Sequence, residues 1–133
     1  MKSTLILSAS AAIILLVIDL LWLGVIAKNL YQAEIGGLLK KEFNVLAALA
    51  FYVLYVIGLT VFVLIPAHES GSVVRALAYG AFFGLVAYGT YDLTNLATLE
   101  GFTLRIALID MGWGAFVSGV TSAGAVAMAR HFG

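Results

Sequence analysis

Four apolar stretches, roughly residues 4–27, 44–65, 73–99 and 104–129, take up most of this 133-residue chain and decide what it can fold into. A hydrocarbon core of about 30 Å needs about 20 apolar residues wound as a helix, and each stretch meets that length. Inside lipid there is no water to bond backbone N–H and C=O groups, so a spanning segment must satisfy them within its own helix. Composition agrees, with 63% hydrophobic residues, 11% charged and a mean hydropathy of +1.10, where a soluble domain carries about a quarter charged. The expected fold is all-α: a polytopic membrane protein, 1–133 as a single transmembrane domain, built as an antiparallel four-helix bundle.

Lys2 before an apolar run, followed by Ser8-Ala9-Ser10-Ala11, loosely imitates a secretory signal. The run continues to Ala27, well past the 7 to 15 residues of a signal core, so it reads as a span. The absence of cysteine removes disulfides, thiolate metal sites and cysteine nucleophiles together. Loops one and three carry Lys28, Lys40, Lys41 and Arg105, and the opposite side carries Lys2, Arg75 and Arg130, so four cations against three leave orientation weakly coded. Between Lys28 and Phe43, Tyr31, Ile35, Leu38 and Leu39 oppose Gln32, Glu34, Lys40 and Lys41. That pattern fits a short interfacial amphipathic helix hinged at Gly36-Gly37, with an ordinary loop as the alternative. Pro66 is expected to close the second span and Ser72 to cap the third.

Three aspartates interrupt the apolar runs. Asp19 lies eight residues before Ala27, Asp92 seven before Leu99 and Asp110 six after Leu104. At 1.5 Å per residue, each sits roughly 9 to 12 Å below the same membrane surface. Tyr52, eight residues after Asn44, falls in the same layer, with Tyr55 a turn deeper. On span three, Tyr88, Asp92 and Asn95 form one helical stripe of phenol, carboxylate and amide. Trp22 and Trp113 each follow an acid by three residues, and that local repeat in antiparallel spans has the form of an inverted similarity. Trp22 also suits an interfacial anchor.

A charged Asp at mid-helix costs about 2.5 to 3.5 kcal/mol on insertion scales and usually marks a site or pathway. Three converging carboxyls cannot all stay ionised, so at least one is expected to hold a proton at neutral pH unless a cation is present. A divalent metal on three carboxylates is chemically allowed, but no histidine lies at this depth, and neither a metal nor a cofactor is expected. His68 and His131 fall on the opposite surface as ordinary solvated residues. No phosphate-binding glycine loop, Ser–His pair or metal-ligand histidine spacing is present, and no nucleic-acid partner is expected. The third span carries Ala76, Gly80 and Gly84 at intervals of four, and the fourth carries Ala115, Gly119 and Ala123 beside Gly114, Ser118 and Ser122. Such faces let helices approach closely, either on each other or on a second copy as a homo-oligomer.

The Asp-x-x-Trp-Leu-Gly segment from Asp19, the Tyr-Asp-Leu-Thr-Asn-Leu-Ala-Thr-Leu run from Tyr91 to Leu99, and the Asp-Met-Gly-Trp-Gly segment from Asp110 carry a resemblance. Over essentially the whole chain, the sequence resembles a family of small bacterial membrane proteins with four helices, known as a domain of unknown function. The resemblance implies a multi-pass protein of the bacterial inner membrane, with Asp19, Trp22, Asp92, Asn95, Asp110 and Trp113 as the positions that define the family. It implies no activity.

Three functions fit these residues. The first is binding or transport of a small lipophilic or cationic ligand, with Asp19 and Asp110 exchanging protons and Tyr52, Tyr88 and Trp113 as aromatic walls. The second is a lipid-modifying enzyme or enzyme subunit that uses a carboxylate as acid or base. The third is a structural or accessory bundle locked by its polar layer. Besides the lipid bilayer, the expected partner is a lipid or a lipophilic cation.

Overall fold

The computed structural model describes residues 2–22, 24 and 44–132. The amphipathic segment expected between Lys28 and Phe43, and the end of the first span at Ala27, lie outside them. Helix α1 covers Lys2–Leu21, α2 Val45–Glu69, α3 Val73–Thr98 and α4 Leu104–Phe132, each long and apolar enough to cross a membrane. No strand occurs among the described residues. The architecture is an all-α polytopic bundle.

Local chemistry sets the helix ends. The Asn44 side chain accepts the Ala47 N–H at 3.1 Å and opens α2. Ser72 accepts the Arg75 N–H at 3.0 Å and caps α3, as the sequence leads one to expect. Pro66 does not end α2, because the helix continues to Glu69. A proline ring clashes with the carbonyl four residues back and offers no N–H. The turn before it widens to a π-helix over Thr60–Leu64, which admits Pro66 without breaking the helix.

The bundle buries several polar residues within an apolar core and carries large apolar side chains on its outside. Leu5, Ile13, Leu20, Leu46, Leu54, Phe62, Phe82, Leu108 and Phe116 point outward, where a bilayer supplies their solvent, while Thr60, Asp92, Ser118, Thr121 and Ser122 are buried. Helices α3 and α4 make the closest pair. Ala76, Gly80 and Gly84 of α3 lie against Gly114, Ser118 and Ser122 of α4. A Cβ at Gly80 would strike the Ser122 side chain and the Ser118 carbonyl, and one at Gly84 would strike the Gly114 carbonyl and the Ser118 side chain. The small-residue stripe thus seats the two helices on each other, where no hydrophobic drive separates helix from lipid.

Helix α1 joins this pair through Leu7, Ala11 and Leu15. Helix α2 docks mainly through Leu59, Val63, Leu64 and Ala67, and Ser8 and Thr60 bond across α1 and α2 at 3.1 Å. The earlier half of α2 stands further out, with most residues from Val45 to Leu54 exposed. A cleft flanks it on each side. One, of about 460 Å³, runs between α1 and α2 past Leu15, Leu16, Leu49, Tyr52 and Val56. The other, of about 410 Å³, lies between α2 and α3 beside Tyr55, Gly58 and Phe83.

Because the glycine contacts involve backbone rather than a movable side-chain tip, Gly84→Val should cost about 1 to 3 kcal/mol or more of stability through overpacking. Gly112→Ala, where an added Cβ meets nothing within 4 Å, serves as the control and should unfold at or above the wild-type temperature. Thermal unfolding in detergent followed by circular dichroism checks both.

Candidate functional site

Asp19 lies on the last full turn of α1, and only 6% of its surface is exposed. The Tyr52 hydroxyl of α2 donates to its Oδ2, and the Trp113 indole N–H of α4 donates to its Oδ1 at 3.2 Å. One carboxyl therefore ties three helices together. Trp22 stacks on Trp113 with ring centroids 4.3 Å apart and planes 9° from parallel. Trp22 is half-buried against the acid's own donor, which makes it more than a free interfacial anchor. Phe116 extends the aromatic wall at 5.7 Å from Trp113.

Tyr55 sits a turn below Tyr52 and is 5% exposed. Its hydroxyl bonds the Ser118 hydroxyl of α4, and its ring meets Phe83 and Tyr88 edge-on at 5.5 and 6.3 Å. Tyr88 in turn lies so close to Gly114 that a Cβ there would collide with its ring. It stands within electrostatic range of both Asp19 and Asp110.

Asp92 lies inside α3, six residues before the helix ends at Thr98, and its surface is fully covered. Neither of its oxygens has a hydrogen-bond partner among the described residues. The Asp110 carboxyl of α4 faces it, close enough for a hydrogen bond once one of the two is protonated. Asp110 itself is half-buried. Asn95 is turned to Tyr91 on its own helix. On the loop side, Leu96, Phe102, Ile106 and Ala107 form an apolar cluster.

The residues expected in one layer thus form two adjacent clusters, Asp19 with Tyr52, Trp22 and Trp113, and Asp92 with Asp110, with Tyr88 between them. Counting residues along each helix does not give their pairing, because pairing depends on helix rotation. Ser118 as the partner of Tyr55 was legible only as a small packing residue. His68 is half-buried and its Nδ1 has no hydrogen-bond partner among the described residues, which differs from the solvated residue expected. Among the described residues no three His, Cys, Asp or Glu side chains form a group that could hold a metal.

A family model described as "Predicted membrane protein (DUF2177)" matches residues 4–127. No curated protein and no solved structure matches the chain.

Removing the Tyr52 hydroxyl leaves a buried acceptor on Asp19 without its donor, a loss of about 1 to 3 kcal/mol. Tyr52→Phe should therefore lower thermal stability markedly in the Asp19 background and much less when Asp19→Asn is already present. A double-mutant cycle of unfolding free energies reads that coupling.

Proposed function

Because this chain belongs to the DUF2177 family of predicted membrane proteins, its chemistry must be sought inside the bilayer, and we propose that it binds a small lipophilic cation at Asp19, for transport. The observation that carries this reading is the environment of that carboxyl. Asp19 is buried and held by two neutral donors, and no cationic side chain reaches it among the described residues. Stacked indoles and phenols flank it, surfaces that attract a desolvated cation by about 2 kcal/mol.

Access supports the same reading. The cleft between α1 and α2 is bordered by the outward-facing Leu16, Leu49, Val53 and Ile57, so a molecule dissolved in the hydrocarbon meets it sideways. Tyr52 lines that cleft and donates its hydroxyl to Asp19, so the apolar channel and the acid share a residue. A flat aromatic or alkylated cation matches both, with its body in the cleft and its charge toward the carboxylate. The bacterial inner membrane is the setting that the family resemblance implies.

A second reading has its own observation. Both oxygens of Asp19 are satisfied and bind α1 to α2 and α4, as in a latch that only holds helices together. The two readings differ in one measurement.

The chain has two tryptophans, and both are at the proposed site. Tetraphenylphosphonium titrated into the protein in lipid nanodiscs should quench their fluorescence saturably, while the neutral analogue tetraphenylmethane should not. Asp19→Asn, shown to be helical by circular dichroism, should weaken that binding by about thirtyfold, the equivalent of about 2 kcal/mol of lost charge–charge attraction. Equal binding by wild type and Asp19→Asn would leave only the latch.

A further inference from the structure

The second cluster raises a separate question of charge. Asp92 is wholly covered, its oxygens have no hydrogen-bond partner among the described residues, and the group before it is another carboxyl. An ionised carboxylate so placed is costly in lipid, and a second negative charge opposite raises the cost further. Two carboxyls in contact lower that cost by sharing one proton, so that one O–H donates to the other's carboxylate oxygen.

The alternative occupants fit less well. A hard cation takes about six oxygen ligands, and among the described residues no third carboxyl or histidine joins the pair. On the loop side, Leu96, Phe102, Ile106 and Ala107 pack together as an apolar cluster. Several other titratable or charged groups act on the pair. On α3 the Tyr91 hydroxyl lies within electrostatic range of both acids, and Tyr88 lies within range of Asp110. Arg105 is exposed at the start of α4. From α1 and α2, Asp19, Tyr52 and Tyr55 lie within electrostatic range of Tyr88.

We propose that Asp92 and Asp110 form an intramembrane carboxyl pair that binds one exchangeable proton at neutral pH, with Asp92 as its buried member and Asp110 as its access point. The proton bridges the two side chains as a single O–H···O link. When it leaves, an O–H bond breaks, the electron pair stays on the carboxyl oxygen and the proton passes to water through the half-buried Asp110. The pair is a binding site for a proton distinct from Asp19, and it stands whether or not Asp19 takes a cation.

Infrared difference spectroscopy of the protein in lipid nanodiscs tests this, since the C=O stretch of a protonated carboxyl is distinct from that of a carboxylate and shifts in D₂O. At neutral pH the wild type should show such a band, Asp92→Asn should abolish it, and Asp110→Asn and Asp92→Glu should each move it. Raising the pH should remove the band and lower the unfolding temperature of the wild type, because two like charges are then left face to face, while Asp110→Asn, which keeps only the cost of burying one charge, should show a smaller alkaline loss. If Asp92→Asn does not fold, the Asp110→Asn and Asp92→Glu spectra decide. A spectrum without the band at neutral pH, a band that survives Asp92→Asn, or a band removed by sodium chloride at constant pH would overturn the proposal, the last by showing that the pair holds sodium.

Discussion

The near-contact of α3 with α4 at Gly80, Gly84 and Gly114 is the constraint from which the other features follow. At Gly80 and Gly84 there is no room for a larger side chain against Ser118, Ser122 and the Gly114 carbonyl, and van der Waals packing replaces the hydrophobic drive that lipid cannot supply. The same approach sets the rotation of both helices. It turns Asp92 toward Asp110 and lays Tyr88 flat against Gly114, between the two acidic clusters.

Once that pair is fixed, the remaining helices are held by polar contacts as much as by apolar ones. Helix α1 reaches α4 through Leu7, Ala11 and Leu15, and then again through Asp19 and the Trp113 indole. Helix α2 is anchored by its second half, while Tyr52 and Tyr55 extend hydroxyls inward from its exposed first half. Where every neighbour is hydrocarbon, an unmade hydrogen bond has no water to fall back on, so these few phenols count for more than exposed ones would. The widened turn at Thr60–Leu64 lets α2 keep its helix through Pro66, so the half that carries both phenols and the half that docks are one continuous element.

The two acidic clusters differ in a way that bears on function. Asp19 is surrounded by donors and aromatic faces at the edge of a lipid-facing cleft. Asp92 has no hydrogen-bond partner among the described residues and faces another acid. The two proposals, a cation at Asp19 and a proton at Asp92 and Asp110, rest on that difference, and Tyr88 lies within electrostatic range of both Asp19 and Asp110.

The sequence by itself determined the class, the four helices long and apolar enough to cross a membrane, the cap at Ser72 and the small-residue faces. Those properties depend on length, hydropathy and residue spacing along one helix. The continuation of α2 through Pro66 was not legible, because a proline's effect depends on whether the preceding turn can widen. Nor was the sorting of three aspartates into two clusters, the Trp22–Trp113 stack or the Tyr55–Ser118 bond, since each joins residues on different helices. Depth along a membrane normal can be counted from one strand of text, but rotation about a helix axis is decided only when neighbouring helices pack, and here the tertiary structure settled it through the glycines that let α3 and α4 touch.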